Sequence, residues 1–361
     1  MFFLAAVACL WTAGRWHASL IRMRADYRLD SVEPLENAPP LVAFTTVVLG
    51  GFRGLLADIL WLRASYLQDE GRYIELVQLS DWITKLEPRH TEIWAFHAWN
   101  MAYNVSVMMF RPEDRWRWVR NGIQLLRDEG IRYNSADSDL YCNLGWLFQD
   151  KIGGTTDRVN MFYKQKWAEE MMELFGGPRP DYEKLASRPE IARRMREQYK
   201  LVPEIMRKID SKYGPLDWRL PESHAIYWAY RGRQHAAEKG SLVCDRMIFQ
   251  SMAASFMNGR LIFRPDDNVF LRSPNPDLLS NVMKAYDSAL EKHGIESVRV
   301  AYANFLRNAV LVLYRLNREQ EAREVFSLLG EKFPSAETAE NFEAFVPRGN
   351  MKTAAGDCDP P

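Results

Sequence analysis

The chain has 361 residues, with 47 Lys+Arg balanced by 47 Asp+Glu and twelve Trp. Zero formal charge argues against nucleic acid as the main partner, because such binding rests on an excess of basic charge. The four cysteines, Cys9, Cys142, Cys244 and Cys358, stand far apart and form no CxxC. Neither a zinc site nor a disulfide framework is indicated, and the redox compartment stays open.

Residues 1–28 open with "MFFLAAVACLWTAG", apolar from Met1 to Gly14, followed by Arg15, His17, Arg22 and Arg24. A spanning helix needs about 20 apolar residues. Trp16, Leu20 and Ile21, with a snorkelling Arg15, extend the run toward that length. An uncleaved membrane anchor is the expectation; a processed signal and a soluble helix are the alternatives. With Met1 as the true start, the trailing basic residues place the body of the protein in the cytoplasm. With residues missing upstream, the inference reverses, so the side of the membrane stays unresolved.

Residues 29–51 read as a linker and an apolar capping segment, with three Pro in "SVEPLENAPP" (Ser31–Pro40). Leu41–Leu62 resembles a second span, but Gly50-Gly51 interrupts it and Arg53 and Asp58 lie inside it. The pattern predicts instead an amphipathic helix from about Phe52 to Asp69, with Leu55, Ile59, Leu62 and Tyr66 on one stripe. The alternative is a segment that dips into a membrane or docks on a partner.

Helices then follow in pairs. Tyr73–Leu86 has Leu76, Leu79, Ile83 and Leu86 on one face, and Pro88 pushes Glu87 out of the helical region. Trp94–Met108 carries the stripe Trp94, Ala98, Met101, Val105 and Met108. Pro112, Glu113 and Asp114 suit the first turn of the next helix, which Gly130 closes. A third pair runs from about Ser138 to Gln149 and from about Asp157 to Phe175. No strand-like alternation stands out anywhere.

At this point the chain resembles a tetratricopeptide repeat (TPR) protein, whose unit is a helix pair of about 34 residues with small and large residues at fixed offsets and often a closing Pro. The clearest copy is Asn304–Pro334, with Ala322 and Phe326 at the small and aromatic positions of its second helix. The first unit, about Ala57–His90, has Gly71-Arg72-Tyr73 at its turn. The second opens at Trp94, the third carries Leu144-Gly145, and a weaker fourth opens at His224–Gly232. The resemblance implies an all-α, right-handed helical-repeat solenoid behind an N-terminal membrane-anchor helix. Its blocks span residues 52–177 and 224–340, an irregular segment spans 178–223, and 341–361 form a disordered tail.

In the TPR fold the first helix of each pair lines a concave groove. The implied register places Trp61, Ser65 and Gln68 there from the first unit, Trp99 and Tyr103 from the second, and Trp146 and Gln149 from the third. A flat aromatic wall with amide edges suits an extended peptide, a Pro-rich segment or a sugar. The competing account is that a neighbouring helix fills the groove and these Trp are core. His97, Asn100 and Asn104 form a separate polar stripe, suited to inter-helix hydrogen bonds.

Catalytic patterns are thin. The six His form neither HExxH nor HxH, and no GxSxG, P-loop or GxGxxG occurs. The expectation is a non-catalytic, membrane-associated scaffold or adaptor for other proteins, with no cofactor and no metal. The alternatives are an all-α carbohydrate-active enzyme with an aromatic-lined groove, and an assembly factor that docks on an integral membrane complex through Leu41–Leu62.

Overall fold

The structure, a computed structural model, describes residues 16, 19, 23, 53–236, 238–264, 269–334 and 341–346. The expected anchor and linker (1–51) lie outside the described residues, apart from Trp16, Ser19 and Met23, which are helical and exposed. Among the described residues, no helix is long and apolar enough to cross a membrane.

The described chain is mostly helical. Helix α1 (Arg53–Asp69) turns at Gly71, whose φ of +70° needs a residue without Cβ, into α2 (Tyr73–Leu86). Helix α3 begins at Thr91–Trp99, widens through a π-turn at Asn100–Val105 and ends at Ser106–Met108. Helix α4 starts at Pro112–Gln124 and passes through a second π-turn, Leu125–Gly130, to Ile131–Tyr133. Helix α5 (Ser138–Trp146) is capped by Asp137, whose carboxylate accepts the Asp139 and Leu140 amides, and ends in a third π-turn, Leu147–Ile152. Helix α6 (Asn160–Phe175) stops at Gly176 in the left-handed conformation.

The Pro-punctuated stretch after α6 holds α7 (Pro189–Gln198) and α8 (Pro203–Tyr213), each opened by a proline whose missing N–H costs nothing in a first turn. Helices α9 (Pro221–Arg233) and α10 (Glu238–Asn258) pack closely on each other and on α5. A hairpin of β1 (Arg260–Arg264) and β2 (Val269–Ser273) follows, antiparallel, with Ile262 opposite Leu271. Helices α11 (Leu279–His293), α12 (Glu296–Arg315) and α13 (Glu319–Lys332) complete the array.

One large core runs from Trp94 on α3 to Val346 and draws on both expected blocks and on the segment between them, including Met195, Met206, Ile209 and Trp218. A small second core holds Ala57, Ala64, Leu67, Leu76, Ile83 and Ile93 under α1 and α2. The repeat-like small residues act as spacers. Ala322 is fully buried, and Gly145 lets α9 and α10 approach, since a Cβ there would meet the Met247 sulfur and the Ala225 carbonyl.

Five expectations need correction. Gly130 does not close α4: its backbone stays helical and the helix runs on to Tyr133. The stripe Leu55, Ile59, Leu62 and Tyr66 faces solvent, and Leu62 is 72% exposed. Helix α1 buries Ala57, Ala64 and Leu67 instead, the two small residues allowing close approach to α2. On α3 the π-turn carries Ala102 rather than Met101 into the fully buried row, and Met108 is exposed. The hairpin contradicts the absence of strand: Leu261 and Phe270 face Ala168 and Leu220, where alternation along five residues is enough to bury one face. The expected tail is in part ordered. Residues 342–346 are helical, and Phe342 and Phe345 pack on Phe326 of α13; the rest of it lies outside the described residues.

Candidate functional site

The residues expected in the groove divide into two sets. Trp99 and Tyr103, one turn apart on α3, stack with ring centroids 5.4 Å apart and nearly parallel planes. The Tyr103 hydroxyl donates to Asp150 on α5 at 2.7 Å, and the Trp146 indole interacts with the same phenol oxygen. Trp99 and Trp146 are each 43% exposed. Gln149 reaches Gln250 on α10 (3.5 Å) at the edge of this face.

The first-unit residues are placed differently. Trp61 is half-buried and meets Phe96 edge-on at 5.1 Å, within the small core. The Ser65 hydroxyl donates to the Trp61 carbonyl of its own helix, and the Gln68 carbonyl accepts the Gly71 amide at the turn. Thus Trp99, Tyr103, Trp146 and Gln149 share a surface with Asp150, while the ring partner of Trp61 lies elsewhere.

Tyr103 and Asp150 both sit in π-turns, and this is the local reason they meet. A π-turn adds a residue to the helical turn and re-aims the side chains around it, a distortion that often marks functional sites. Beneath the platform lies a buried ionic network. The Lys151 ammonium stands 2.6 Å from Asp157 and 5.0 Å from the centre of the Tyr103 ring. Arg115 from α4 approaches Asp157 at 3.0 Å, and the Tyr163 hydroxyl donates to it at 3.3 Å.

Burial sets the protonation here. It pushes Tyr103 far above the usual phenol range, with Asp150 adding to the effect, and pushes Tyr163 up to about 12. It lowers the Lys151 ammonium against the pull of Asp157. For Asp157, burial opposes ionisation, but the Lys151 ammonium, the Val159 amide and Arg115 outweigh it and hold the carboxyl below its ordinary range. Asp157 is therefore a fixed anion that locks α4, α5 and α6 together behind the aromatic surface. Nearby Lys164 donates to the Gly154 carbonyl and to Asn160; burial, then Arg272, lowers it to about 8.

The polar stripe of α3 lies on the other side. Asn104 donates to Asn100 (2.9 Å), and Asn100 reaches the Tyr73 carbonyl of α2 (3.4 Å). The buried His97 ring has no hydrogen-bond partner, and burial lowers it to about 4. It lines a depression of about 630 Å³ together with Asp81, Asp128 and Glu129. Among the described residues, no group of three or more His, Cys, Asp or Glu is placed to hold a metal ion.

Sequence reasoning did not single out Asp150, Lys151, Asp157 or Arg115. The one signal available was "QDKIGG", where a charged pair inside an apolar helix end, followed by two glycines, marks a distorted and polar-lined turn. No known family model matches the sequence, and no curated protein resembles it at a significant level.

Proposed function

We propose that this chain is a non-catalytic adaptor, a TPR-like helical-repeat solenoid that binds other proteins and is held at a membrane by its N-terminal part. The observation that carries the reading is the platform of Trp99, Tyr103 and Trp146. Two half-exposed indoles flank a phenol whose hydroxyl is already bound by Asp150. Rigid aromatic surface of this kind loses little conformational entropy on contact, and Trp and Tyr dominate binding hot spots. A single accessible carboxylate with amide edges suits a partner segment with an N–H donor or a basic residue beside an apolar one.

The enzyme reading has less support. Acid–base glycoside chemistry uses two carboxyl groups of different protonation flanking one bond. Asp150 borders the platform, but the next carboxylate in the network, Asp157, is engaged by Lys151, Arg115 and Tyr163 and closed off from solvent. The reading as an assembly factor gains one observation. The solvent-facing row Leu55, Ile59, Leu62 and Tyr66 makes α1 an apolar surface that overlaps the end of Leu41–Leu62, the segment through which docking is expected.

The test is purification of the full-length protein in mild detergent, comparing wild type with a Trp99→Ala/Trp146→Ala variant. Loss of a hot-spot anchor costs about 2 kcal/mol or more, which is roughly 30-fold in affinity. The wild type should retain defined chains that the variant loses. Equal recovery of the same chains by both proteins overturns the proposal.

A further inference from the structure

Two of the four cysteines meet. Cys142 lies on α5 and Cys244 on α10, 102 positions apart, and their sulfurs stand 2.7 Å from each other. That is well inside the ordinary non-bonded separation of heavy atoms, which is about 3.5–4.0 Å even for carbon. Both side chains are buried. The close approach is built by Gly232 of α9, where a Cβ would meet the Tyr141 Cβ at 2.9 Å and the Cys244 sulfur at 3.2 Å. Any larger residue at that position forces the three helices apart.

We propose that Cys142 and Cys244 form an intramolecular disulfide that staples α5 to α10. Two other accounts of a paired-thiol site are metal ligation and simple packing. A metal needs further ligands, and among the described residues no group of three or more His, Cys, Asp or Glu is placed to supply them. Packing alone treats buried thiols as small apolar groups, and it gives no reason for two of them to be aimed at each other. The bridge would close a loop holding α6 through α9, and so would join the face that carries Trp146 to the later helices.

The chemistry is thiol–disulfide exchange with an external disulfide, either an oxidised low-molecular-weight thiol or an oxidised dithiol protein. Either thiol can open the exchange, and the steps balance in the same way with Cys244 first. The Cys244 thiolate attacks one sulfur of the external disulfide, breaks its S–S bond and expels one thiolate. Cys142 then gives up its proton to that thiolate and attacks the Cys244 sulfur of the mixed disulfide. The Cys142–Cys244 bond forms, and the second external thiolate leaves and takes the proton lost from Cys244. The two protein thiols lose two electrons, and one external disulfide is reduced to two thiols. Because both sulfurs are buried, exchange occurs while the chain is folding, and the finished bridge resists reductant until the core opens.

The test uses the full-length chain, reduced in denaturant and refolded in a mixture of reduced and oxidised glutathione. The product is denatured in excess alkylating agent without reductant and mapped by peptide mass. The expected result is one species in which the Cys142 and Cys244 peptides are joined, two hydrogens lighter than their sum, with Cys9 and Cys358 alkylated. Oxidation in denaturant throughout should give a mixture of pairings instead. Alkylation of both Cys142 and Cys244 after refolding overturns the proposal, as does a pairing of either with Cys9 or Cys358. The mapping uses the wild-type chain, so it does not depend on a variant folding. As a second readout, a Cys142→Ser/Cys244→Ser variant that folds should melt several degrees below the oxidised wild type; an equal midpoint counts against the staple.

Discussion

Replacing Trp94 and Trp99 by Ala separates packing from binding on a single helix. Trp94 is 1% exposed, donates its indole N–H to the Pro88 carbonyl at 2.8 Å and stacks on Tyr133 with centroids 5.8 Å apart. Gly130 of α4 faces it, where an added Cβ would stand 3.4 Å from the Trp94 Cβ and ring, so on that side there is no side chain to refill the space. Such truncation costs about 3–5 kcal/mol. The Pro88 carbonyl keeps its second donor, Asn134, at 2.8 Å, so no orphaned acceptor adds to that cost. Trp99, 43% exposed, loses only about half as much contact, roughly 2 kcal/mol by the same scale. For a chain of this size 1 kcal/mol moves the thermal midpoint by about 2–3 °C. Trp94→Ala should therefore lower it by about 10 °C and Trp99→Ala by about 4–5 °C. Differential scanning calorimetry of the two variants against wild type measures both. Equal drops would refute the reasoning, because Trp99 would then be core and the platform no binding surface.

Three further outcomes follow from the same structure. Asp157→Ala leaves Lys151 and Arg115 unpaired inside the protein, so denaturant unfolding should show a loss of about 3–5 kcal/mol, whereas Glu190→Gln, at an exposed position, should leave the unfolding midpoint essentially unchanged. His97, held near 4 in the fold against about 6.5 when unfolded, refuses a proton that the unfolded chain accepts; its stabilising contribution is present above about 6.5 and lost as pH falls toward about 4, about 3 kcal/mol in all. His97→Leu should flatten the midpoint-against-pH curve in that window, and an unchanged slope would sink the argument. Leu62→Gln, at a solvent-facing position of α1, should shift the midpoint by less than about 1 °C; a large drop would mean that the stripe packs.

The helices were legible from periodicity and punctuation. Pro112 opens α4 and Gly71 makes the turn between α1 and α2, whereas Gly130 does not end α4, which runs on to Tyr133. Of the polar stripe, Asn100 makes the inter-helix hydrogen bond, while Asn104 bonds within its own helix and His97 has no partner. The facing of α1 was not legible. The helix buries Leu67 together with the weakly apolar Ala57 and Ala64, so hydrophobicity alone selected the wrong stripe. The π-turns were invisible because nothing in composition distinguishes them from α-helix. The register implied by the resemblance brings in Trp99, Tyr103 and Trp146 but not Asp150, whose position depends on the extra residue in the turn. The same register places Trp61 in the groove, whereas the structure gives it Phe96 as a ring partner in the small core. The meeting of Cys142 with Cys244 is a tertiary fact that spacing in the chain does not contain.

The central claim is that the Trp99–Tyr103–Trp146 face contacts another protein. A photo-crosslinking amino acid placed at Trp99, at Trp146 and, as a control, at exposed Lys184 in the full-length protein tests it most directly in intact cells. The account predicts discrete, light-dependent adducts of one common partner at positions 99 and 146 and none at 184. Adducts absent at both platform positions, or equal at all three, would contradict it.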